Sequence, residues 1–305
     1  MTERTIRSLV GIGELSRSTG VPVRTIRFYC DNGILESRRS SGGHRMFDPA
    51  AGDRLLLVRR MRALGLSLPA IVSVLDGTES IGTAVAVERA ALDAELDELR
   101  WRRASLLALE HASPTERAAR LELLAAVQNR NAILDTLVTF WRRVLTPMPP
   151  ELFDAFIDMH IPHVPTEPTP HQVVAYAELT GLAADPNVKT AMTQQIWRAG
   201  HSRIRDRRGL LTAVADSYSA AALLVAANEK PCPGVELDAY VVAHATTRGE
   251  PDTLRFRRRL LRAAADTDPR LHRYWALTAE ITGTHATVGA VHYWLLDALR
   301  VDISM

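Results

Sequence analysis

A short segment near the N-terminus carries side chains whose chemistry suits the reading of a double-stranded nucleic acid. Arg24, Thr25 and Arg27 lie close together and are followed by the aromatic pair Phe28 and Tyr29. An arginine can donate two hydrogen bonds to the major-groove edge of a guanine, and a threonine methyl group can contact that of a thymine. The segment therefore predicts contacts with the base edges of DNA.

Two short helices are expected to position this segment. The first runs from Ile12 to Gly20, a glycine that suits the left-handed residue after a helix. The second begins near Pro22, which fits a first helical turn, and closes at Asn32. Two such helices joined by a tight turn form a helix-turn-helix, whose second helix enters the major groove.

A basic hairpin follows and would form a wing. Arg38 and Arg39 precede a glycine pair, and the chain returns through His44 to Phe47. Asp48 and Ser67 are expected to cap two further helices. Arginines of the wing, with Arg62 beyond it, could bind phosphates beside the recognition helix. The complete set assigned to DNA contact is Val23, Arg24, Thr25, Arg27, Phe28, Tyr29, Arg38, Arg39, Gly43, His44, Arg45, Phe47 and Arg62.

The overall composition is that of a folded protein with a basic N-terminal end. The 305 residues are 47% hydrophobic and 24% charged. Residues 1–80 contain 12 arginines against 8 acidic residues, whereas the remainder has 25 basic against 27 acidic residues. No signal peptide or membrane span is expected, which favours a cytoplasmic protein without membrane partners. Two cysteines, Cys30 and Cys232, do not suggest a disulfide framework or a thiolate cluster.

Residues 81–112 predict one long dimerisation helix. Its apolar positions recur at steps of three, four or seven residues, and a stripe of this kind needs a second helix to cover it. A symmetric copy of the chain is the simplest source of that helix. The interface residues expected on this stripe are Val85, Leu92, Leu96, Leu99 and Leu106.

The predicted fold class is mainly α, with a winged helix-turn-helix in residues 1–80, the dimerisation helix in 81–112 and an all-α effector domain in 113–305. Helical patterns in the last region cover 118–145, 171–183, 187–201, 210–228, 235–244, 252–265 and 270–299.

Six sequence blocks resemble the MerR family of regulators. In chain order they are Ile12-Gly-Glu-Leu, Gly20-Val, Thr25-Ile-Arg-Phe-Tyr29, Gly33-Ile-Leu, Gly43-His-Arg-Met-Phe47 and Leu64-Gly-Leu-Ser-Leu. The resemblance implies a homodimer joined by an antiparallel coiled coil on a two-fold promoter site. It also implies that an effector makes the dimer distort the DNA, so that RNA polymerase can engage both promoter elements.

The sequence departs from the family pattern at three positions. Phe28 stands where a tyrosine is usual, His44 where the wing usually has a tyrosine, and Cys30 where an acidic residue is common. Each change alters a polar group near the expected phosphates, so the operator sequence does not carry over from a relative. A lone thiol on an apolar helical phase is more typical of a core residue than of a redox sensor.

The effector domain offers weaker signals. A single last helix over residues 270–299 would place a mixed polar and apolar stripe inward, and buried polar groups there need partners or a ligand. Aromatic residues nearby would suit a small lipophilic or aromatic effector. The residues assigned to this site are Trp141, Tyr176, Trp197, Tyr274, Thr278, His285 and His292.

No cofactor, metal site or catalytic site is expected. The cysteines that thiolate sensors place after the dimer helix are missing, and His160, His163 and His171 lie in a proline-rich stretch typical of solvated histidines. No phosphate loop, nucleophile elbow or zinc helix occurs. Two alternatives stay open: a DNA-binding architectural or constitutive regulator whose C-terminal bundle mediates protein contacts, and an enzyme or ligand carrier fused to a DNA anchor.

Overall fold

A computed structural model describes residues 9–146, 148, 150–198, 203–262 and 264–305. The chain divides after Leu96 into two compact units, which we call the first unit and the second unit. The fold is mainly α-helical with one small antiparallel sheet near the N-terminus, as the sequence predicted.

The first unit contains a helix-turn-helix and a wing. Its elements are β1 (Val10–Gly11), α1 (Ile12–Thr19), α2 (Val23–Asp31), β2 (Arg38–Arg39), β3 (Arg45–Phe47), α3 (Ala51–Ala63) and α4 (Leu68–Leu75). Gly20 ends α1 with φ 70°, and its N–H donates to the Ser16 carbonyl at 2.9 Å. Because a left-handed residue there turns the chain at once, α2 can begin three residues later.

The sheet has one strand more than the sequence suggested. Its order is β1-β3-β2, with Val10 opposite Phe47 and Arg38 opposite Met46. The hairpin of β2 and β3 was predicted, but β1 has two residues, too few for an alternating pattern to mark it. β1 therefore fixes the wing to the start of α1.

Of the two predicted helix caps in this unit, one is right. Ser67 accepts a hydrogen bond from the Ala70 N–H and caps α4. Asp48 instead accepts from the Ala50 N–H at 2.9 Å, and α3 begins only at Ala51. The aspartate stabilises the turn before the helix rather than the helix end.

A continuous helix, α5 (Ile81–Glu110), contains the boundary between the units. Ala84, in its first turn, is buried in the core of the first unit. Trp101, Ala104 and Ala108 are buried in the core of the second unit, where the Trp101 indole N–H donates to the Val127 carbonyl at 3.0 Å. The buried residues of α5 are thus mostly small, apart from one tryptophan.

In its described residues, the second unit consists of helices and the loops that join them. Its helices are α6 (Arg117–Ala125), α7 (Arg130–Val144), α8 (Pro150–His160), α9 (Pro170–Ala184), α10 (Pro186–Trp197), α11 (Arg207–Ala226), α12 (Val235–Thr246), α13 (Leu254–Leu261), α14 (Pro269–Thr282) and α15 (Val288–Asp302), with a 3₁₀ turn at Ala264–Thr267. One core lies among α5, α7, α9, α10 and α14. A second lies among α11, α12, α13 and α15.

Two predicted helices are each divided in the structure. The pattern over 118–145 forms α6 and α7, because Asn129 caps a new helix by accepting from the Ala132 N–H at 3.1 Å. The predicted helix over 270–299 is wrong as a single element, since Gly283 takes φ 67° and ends α14 before α15 begins. The sequence also missed α8, which follows a proline cluster.

One described helix, α11, is long and apolar enough to cross a bilayer by length and composition. This is a weak signal, because a helix that packs in the interior of a bundle can meet the same criterion, and α11 contributes Leu210, Leu211, Ser217 and Ala221 to the interior.

Candidate nucleic-acid interface

Helix α2 separates its side chains into an inner and an outer face. Ile26 is fully buried and Tyr29 nearly so, and both pack in the core of the first unit. Arg24, Arg27 and Phe28 recur at steps of three and one, which places them on the opposite face. Phe28 is 48% exposed, an unusual position for a large apolar ring. The outer face of α2 thus presents two cations beside an exposed aromatic ring.

Four of the predicted arginines have no protein partner. Among the described residues, the guanidinium groups of Arg24, Arg27, Arg38 and Arg39 form neither an ion pair nor a hydrogen bond, and all four side chains are exposed. Two lie on α2 and two on strand β2 of the wing. An exposed, unpaired guanidinium keeps all five N–H donors for a phosphate or a base edge.

Arg45, predicted as a phosphate contact, has a different position. Its Nη2 lies 2.7 Å from Asp31 Oδ1, and its Nη1 donates to the Arg27 carbonyl at 3.3 Å. The hydrogen bond to Asp31 raises the pKa of Arg45. The side chain therefore ties β3 of the wing to the C-terminal end of α2, and it orients the wing rather than projecting freely.

Arg62 also makes an internal contact, as do two arginines that the sequence analysis did not assign to DNA. Arg62 Nη1 donates to the Leu66 carbonyl at 2.7 Å. Arg59 donates to the Thr19 carbonyl at 3.1 Å, and Arg54 Nε donates to the Ile34 carbonyl at 2.9 Å. These bonds satisfy carbonyls at helix ends and in the loop after α2, so these arginines hold the unit together.

The remaining assigned residues divide by exposure. Phe47 has no exposed surface, so its assignment to DNA contact is wrong and it supports the wing from the core. Val23 and Thr25 are half-buried. Gly43 has φ 80° at the hairpin tip, where its N–H donates to the Ser40 carbonyl, and His44 next to it is exposed.

Sequence reasoning missed two residues of the same kind as the four free arginines. Arg17 on α1 and Arg60 on α3 are exposed, and neither has a hydrogen-bond or ion-pair partner in the described part of the chain. Arginine is frequent throughout the sequence. Only the structure therefore distinguishes these unpaired arginines from Arg54 and Arg59, which make internal hydrogen bonds.

The predicted dimer residues of α5 all face solvent. Their exposed fractions lie between 40% and 59% for Val85, Leu92, Leu96, Leu99 and Leu106. Helix α5 thus has an uncovered apolar stripe in addition to its buried alanines and Trp101.

The seven residues assigned to an effector site do not line one common cavity. Five belong to the buried interior: Trp141, Tyr176, Trp197, Tyr274 and Thr278. Several hydroxyl and indole groups in this set are already paired, for example Trp141 Nε1 with the Tyr274 hydroxyl at 2.9 Å. Thr278 donates to the Trp275 carbonyl and also lines an open cleft. His285 is exposed in the loop after α14, so only His292 combines burial with a polar cavity wall.

Of the three histidines near the proline-rich stretch, two are exposed as predicted and one is not. His160 is 5% exposed at the end of α8, whereas His163 and His171 are exposed. Across the residues that the structure describes, no three or more His, Cys, Asp or Glu side chains are grouped so as to hold a metal ion. Cys30 is half-buried and Cys232 is exposed, and both are free thiols.

Comparison with known proteins places the first unit in a family. Residues 11–78 match the model of the MerR HTH family regulatory proteins. The nodulation protein NolA of Bradyrhizobium diazoefficiens is 45% identical over 71 residues, which are 23% of this chain and 30% of NolA. The transcriptional activator TipA of Streptomyces coelicolor is 39% identical over 66 residues, 21% of this chain and 26% of TipA.

The mercuric resistance operon regulatory protein of Bacillus cereus is 40% identical over 65 residues, 21% of this chain and 49% of that protein. The chain thus spans about a third of the length of NolA. The family match ends at residue 78, before α5 begins. No solved structure is significantly similar to the chain. The motif blocks, the helix-turn-helix geometry and the family match agree that residues 11–78 form a helix-turn-helix domain of the MerR type.

Proposed function

We propose that the protein is a homodimeric transcription regulator that binds double-stranded promoter DNA through α2 and the wing. The observation that carries the proposal is the set of four exposed, unpaired arginines on α2 and β2, within a domain that matches the MerR family. Arginines on a recognition helix can read guanine, and those on the wing can hold phosphates on either side of it. The names of the matched relatives, which are regulators and activators, support a role other than catalysis.

The uncovered stripe on α5 supports the homodimer. Five apolar side chains on one helix, each at least 40% exposed, would lose solvent contact against an antiparallel copy of α5. Complete burial of a fully exposed leucine or valine side chain contributes about 1.5–3 kcal/mol, and these half-exposed side chains would each contribute about half of that. A two-fold dimer would also place two recognition helices on a two-fold operator, with half-sites about one helical turn apart.

The second unit would be the effector domain. In this proposal, a small lipophilic or aromatic molecule bound there changes the twist or bend that the dimer imposes on DNA, which controls access by RNA polymerase. Such a regulator needs to reach chromosomal DNA, so we place it in the cytoplasm. In the alternative that the sequence left open, the second unit mediates protein contacts and no ligand alters DNA binding.

DNA selection from a random pool tests the proposal. Full-length protein should enrich a two-fold site, and footprinting should show symmetric protection. Arg24→Ala should weaken binding to the selected site about 5- to 150-fold, the range for one base contact worth about 1–3 kcal/mol. Arg255→Ala, which removes an exposed arginine from α13 in the second unit, is the matched control and should bind normally. Wild-type affinity of Arg24→Ala would overturn the placement of the recognition surface.

A further inference from the structure

The second unit contains a cavity lined in part by buried polar side chains. This inner cavity has a volume of about 30 Å³ and lies among α8, α10, α11, α12 and α15. Phe156, Leu211 and Val214 form part of its apolar wall, and His160, Tyr240 and His244 are among its polar residues. The three polar side chains are at most 5% exposed. Buried polar groups are normally hydrogen-bonded, so their partners need to be accounted for.

His160 has one ring nitrogen paired and one free. Its Nδ1 lies 2.7 Å from the Phe156 carbonyl, which only accepts, so Nδ1 carries the proton. Burial lowers the pKa of His160 to about 4, and the ring is therefore neutral at pH 7. The ring stacks on Phe156 at 4.6 Å between centroids. Nε2 is then a hydrogen-bond acceptor without a partner in the described part of the chain.

His244 presents the opposite polarity. Arg248 Nη1 lies 3.1 Å from His244 Nδ1, and because a guanidinium only donates, Nδ1 is the acceptor and Nε2 carries the proton. Burial lowers the pKa of His244, and the ring is neutral. The Tyr240 ring packs at 4.7 Å from that of His244, and its hydroxyl has no hydrogen-bond partner among the described residues. Within the described part of the chain, two donors, His244 Nε2–H and the Tyr240 hydroxyl, are thus left without acceptors.

A neighbouring network holds this wall in place. His292 Nε2 lies 3.3 Å from Asp266 Oδ1, and its Nδ1 lies 2.6 Å from the Tyr218 hydroxyl, which donates to it. Asp266 also pairs with the buried guanidinium of Arg198. These partners satisfy one another, so Tyr218 and His292 do not share the free hydrogen-bonding capacity of His160, Tyr240 and His244.

The inner cavity adjoins a larger opening. An outer cleft of about 240 Å³ lies beside Trp275, Thr278 and Thr287, and Met159 and His160 line both spaces. Together the spaces approach the roughly 300 Å³ at which ligand pockets begin. Met159 is unbranched and partly exposed, so a change of its rotamer could join them. The combined volume fits one or two fused rings.

The charge of the wall restricts the ligand further. Asp266 balances Arg198, but Arg248 is 3% exposed and no carboxylate lies within ion-pair distance of it among the described residues. Its four hydrogen bonds go to His244 and to the carbonyls of His244, Trp197 and Arg198. The positive charge of Arg248 therefore lies close to the donors His244 and Tyr240. It favours a ligand with an electron-rich oxygen over a cationic ligand.

We propose that the inner cavity and outer cleft together bind a small phenol or aromatic hydroxy acid of one or two rings. The ring would lie against the apolar wall, and its oxygen groups would accept from Tyr240 and His244 and donate to His160. This inference rests on the proposed effector role of the second unit and names the site and ligand class for it.

Isothermal titration of the full-length protein with naphthol, naphthalene, para-hydroxybenzoate and naphthylmethylammonium tests the site. Naphthol should bind about tenfold or more tightly than naphthalene, because its hydroxyl completes at least one buried hydrogen bond. Tyr240→Phe should weaken naphthol binding about fivefold and leave naphthalene unchanged, since one hydroxyl is lost. Tyr293→Phe, a hydroxyl outside this cavity, should change neither affinity.

Each other outcome counts against the site. Equal affinity for naphthol and naphthalene, or tighter binding of naphthylmethylammonium, would overturn the polar argument. If none of the four compounds binds, the cavity holds water only and the inference is wrong. DNA binding measured on the same samples separates the two proposals. If the protein binds its operator but no phenol, the regulator proposal stands and the ligand site is wrong. If it binds a phenol but no operator, the ligand site stands and the regulator proposal is wrong.

Discussion

Arg24 and Arg38 in the first unit are exposed and have no partner among the residues that the structure describes, whereas Arg198 and Arg248 in the second unit are 2% and 3% exposed and hydrogen-bonded on several sides. An exposed guanidinium retains its hydration and costs the fold little. A buried one requires acceptors for its donors and a charge or dipoles to balance it. The same residue type is thus available for binding in one unit and holds distant segments together in the other.

This contrast predicts that substitutions in the two units affect different quantities, DNA affinity in the first and stability in the second. Removing an exposed arginine should change affinity for DNA and leave stability alone. Removing a partner of a buried arginine should lower the stability of the second unit and leave the DNA surface intact. A variant that moved both quantities together would contradict the division.

The largest effect is expected at the Arg198–Asp266 pair. Asp266→Asn leaves a buried guanidinium without its counter-charge, so the free energy of unfolding of the second unit should fall by about 3–5 kcal/mol. Urea denaturation followed by tryptophan fluorescence measures this loss. Asp297→Asn removes a carboxylate that is 52% exposed and paired with Arg300, and it should cost less than about 1 kcal/mol. Equal losses in the two variants would mean that the buried pair has no special role.

The next effect concerns pH. The pKa of His160 is lowered from 6.5 to about 4 by burial. Between these values the unfolded chain binds a proton that the folded chain does not, so stability is fully present above about pH 7 and is lost as the pH falls toward 4. The contribution of this one histidine is about 3 kcal/mol. His244 and His292, whose pKa values are also lowered, act in the same direction.

Denaturation at a series of pH values checks this assignment. His160→Gln should flatten the loss of stability between pH 6.5 and 4 by about 3 kcal/mol, because glutamine does not titrate. His111→Gln removes an exposed side chain that has no ion pair among the described residues, and it should leave the slope as it is. An unchanged slope in His160→Gln would show that the ring is solvated in the folded protein.

The sequence predicted those features that local chemistry determines. Gly20 and Pro22 mark the turn between α1 and α2, and Ser67 marks the start of α4, because each acts through its own backbone or that of near neighbours. The alternation of inner and outer residues on α2 follows from helical spacing alone. The helix-turn-helix domain could therefore be predicted from the sequence of residues 12–77 alone.

The sequence did not predict the features that depend on contacts between distant parts of the chain. Arg198 finds its partners at Leu260 and Asp266, and nothing in its own neighbourhood marks it as buried. Phe47 has the aromatic character expected at a DNA surface but lies in the core. A glycine inside an apolar pattern can either continue or end a helix, and Gly283 ends one, which moved His285 into a loop.

The same limit explains why the effector residues were scattered. The large aromatic side chains of this set favour burial in the core over a place in a cavity wall. Of the seven residues selected, Trp141 and Tyr274 pair with each other and leave nothing for a ligand. The wall formed by His160, Tyr240 and His244 comes from two helices that are about 80 residues apart in the chain, a separation that a periodicity in one segment cannot reveal.

The exposed stripe of α5 gives the third prediction. Leu96→Glu places a charge on a stripe whose half-exposed leucines would each contribute about 0.8–1.5 kcal/mol to a dimer. Sedimentation should show a shift toward monomer, and operator affinity should fall with it. Glu98→Ala, outside the stripe, is the control. A dimer that survives Leu96→Glu unchanged would require a different interface, and the stability of the second unit serves as the check that the variant has folded.

The smallest effect is expected from the wing. Arg38→Ala and Arg39→Ala each remove an exposed guanidinium with no partner among the described residues, so stability should change by less than about 0.5 kcal/mol. If each contacts a phosphate, each substitution should reduce the steepness of log affinity against log salt by about 0.9, similarly for specific and random DNA. Titrations at several salt concentrations measure that slope, with Arg255→Ala as the control. A loss confined to the selected operator would instead place the wing arginines against bases, and an unchanged slope would leave DNA binding to α2 alone.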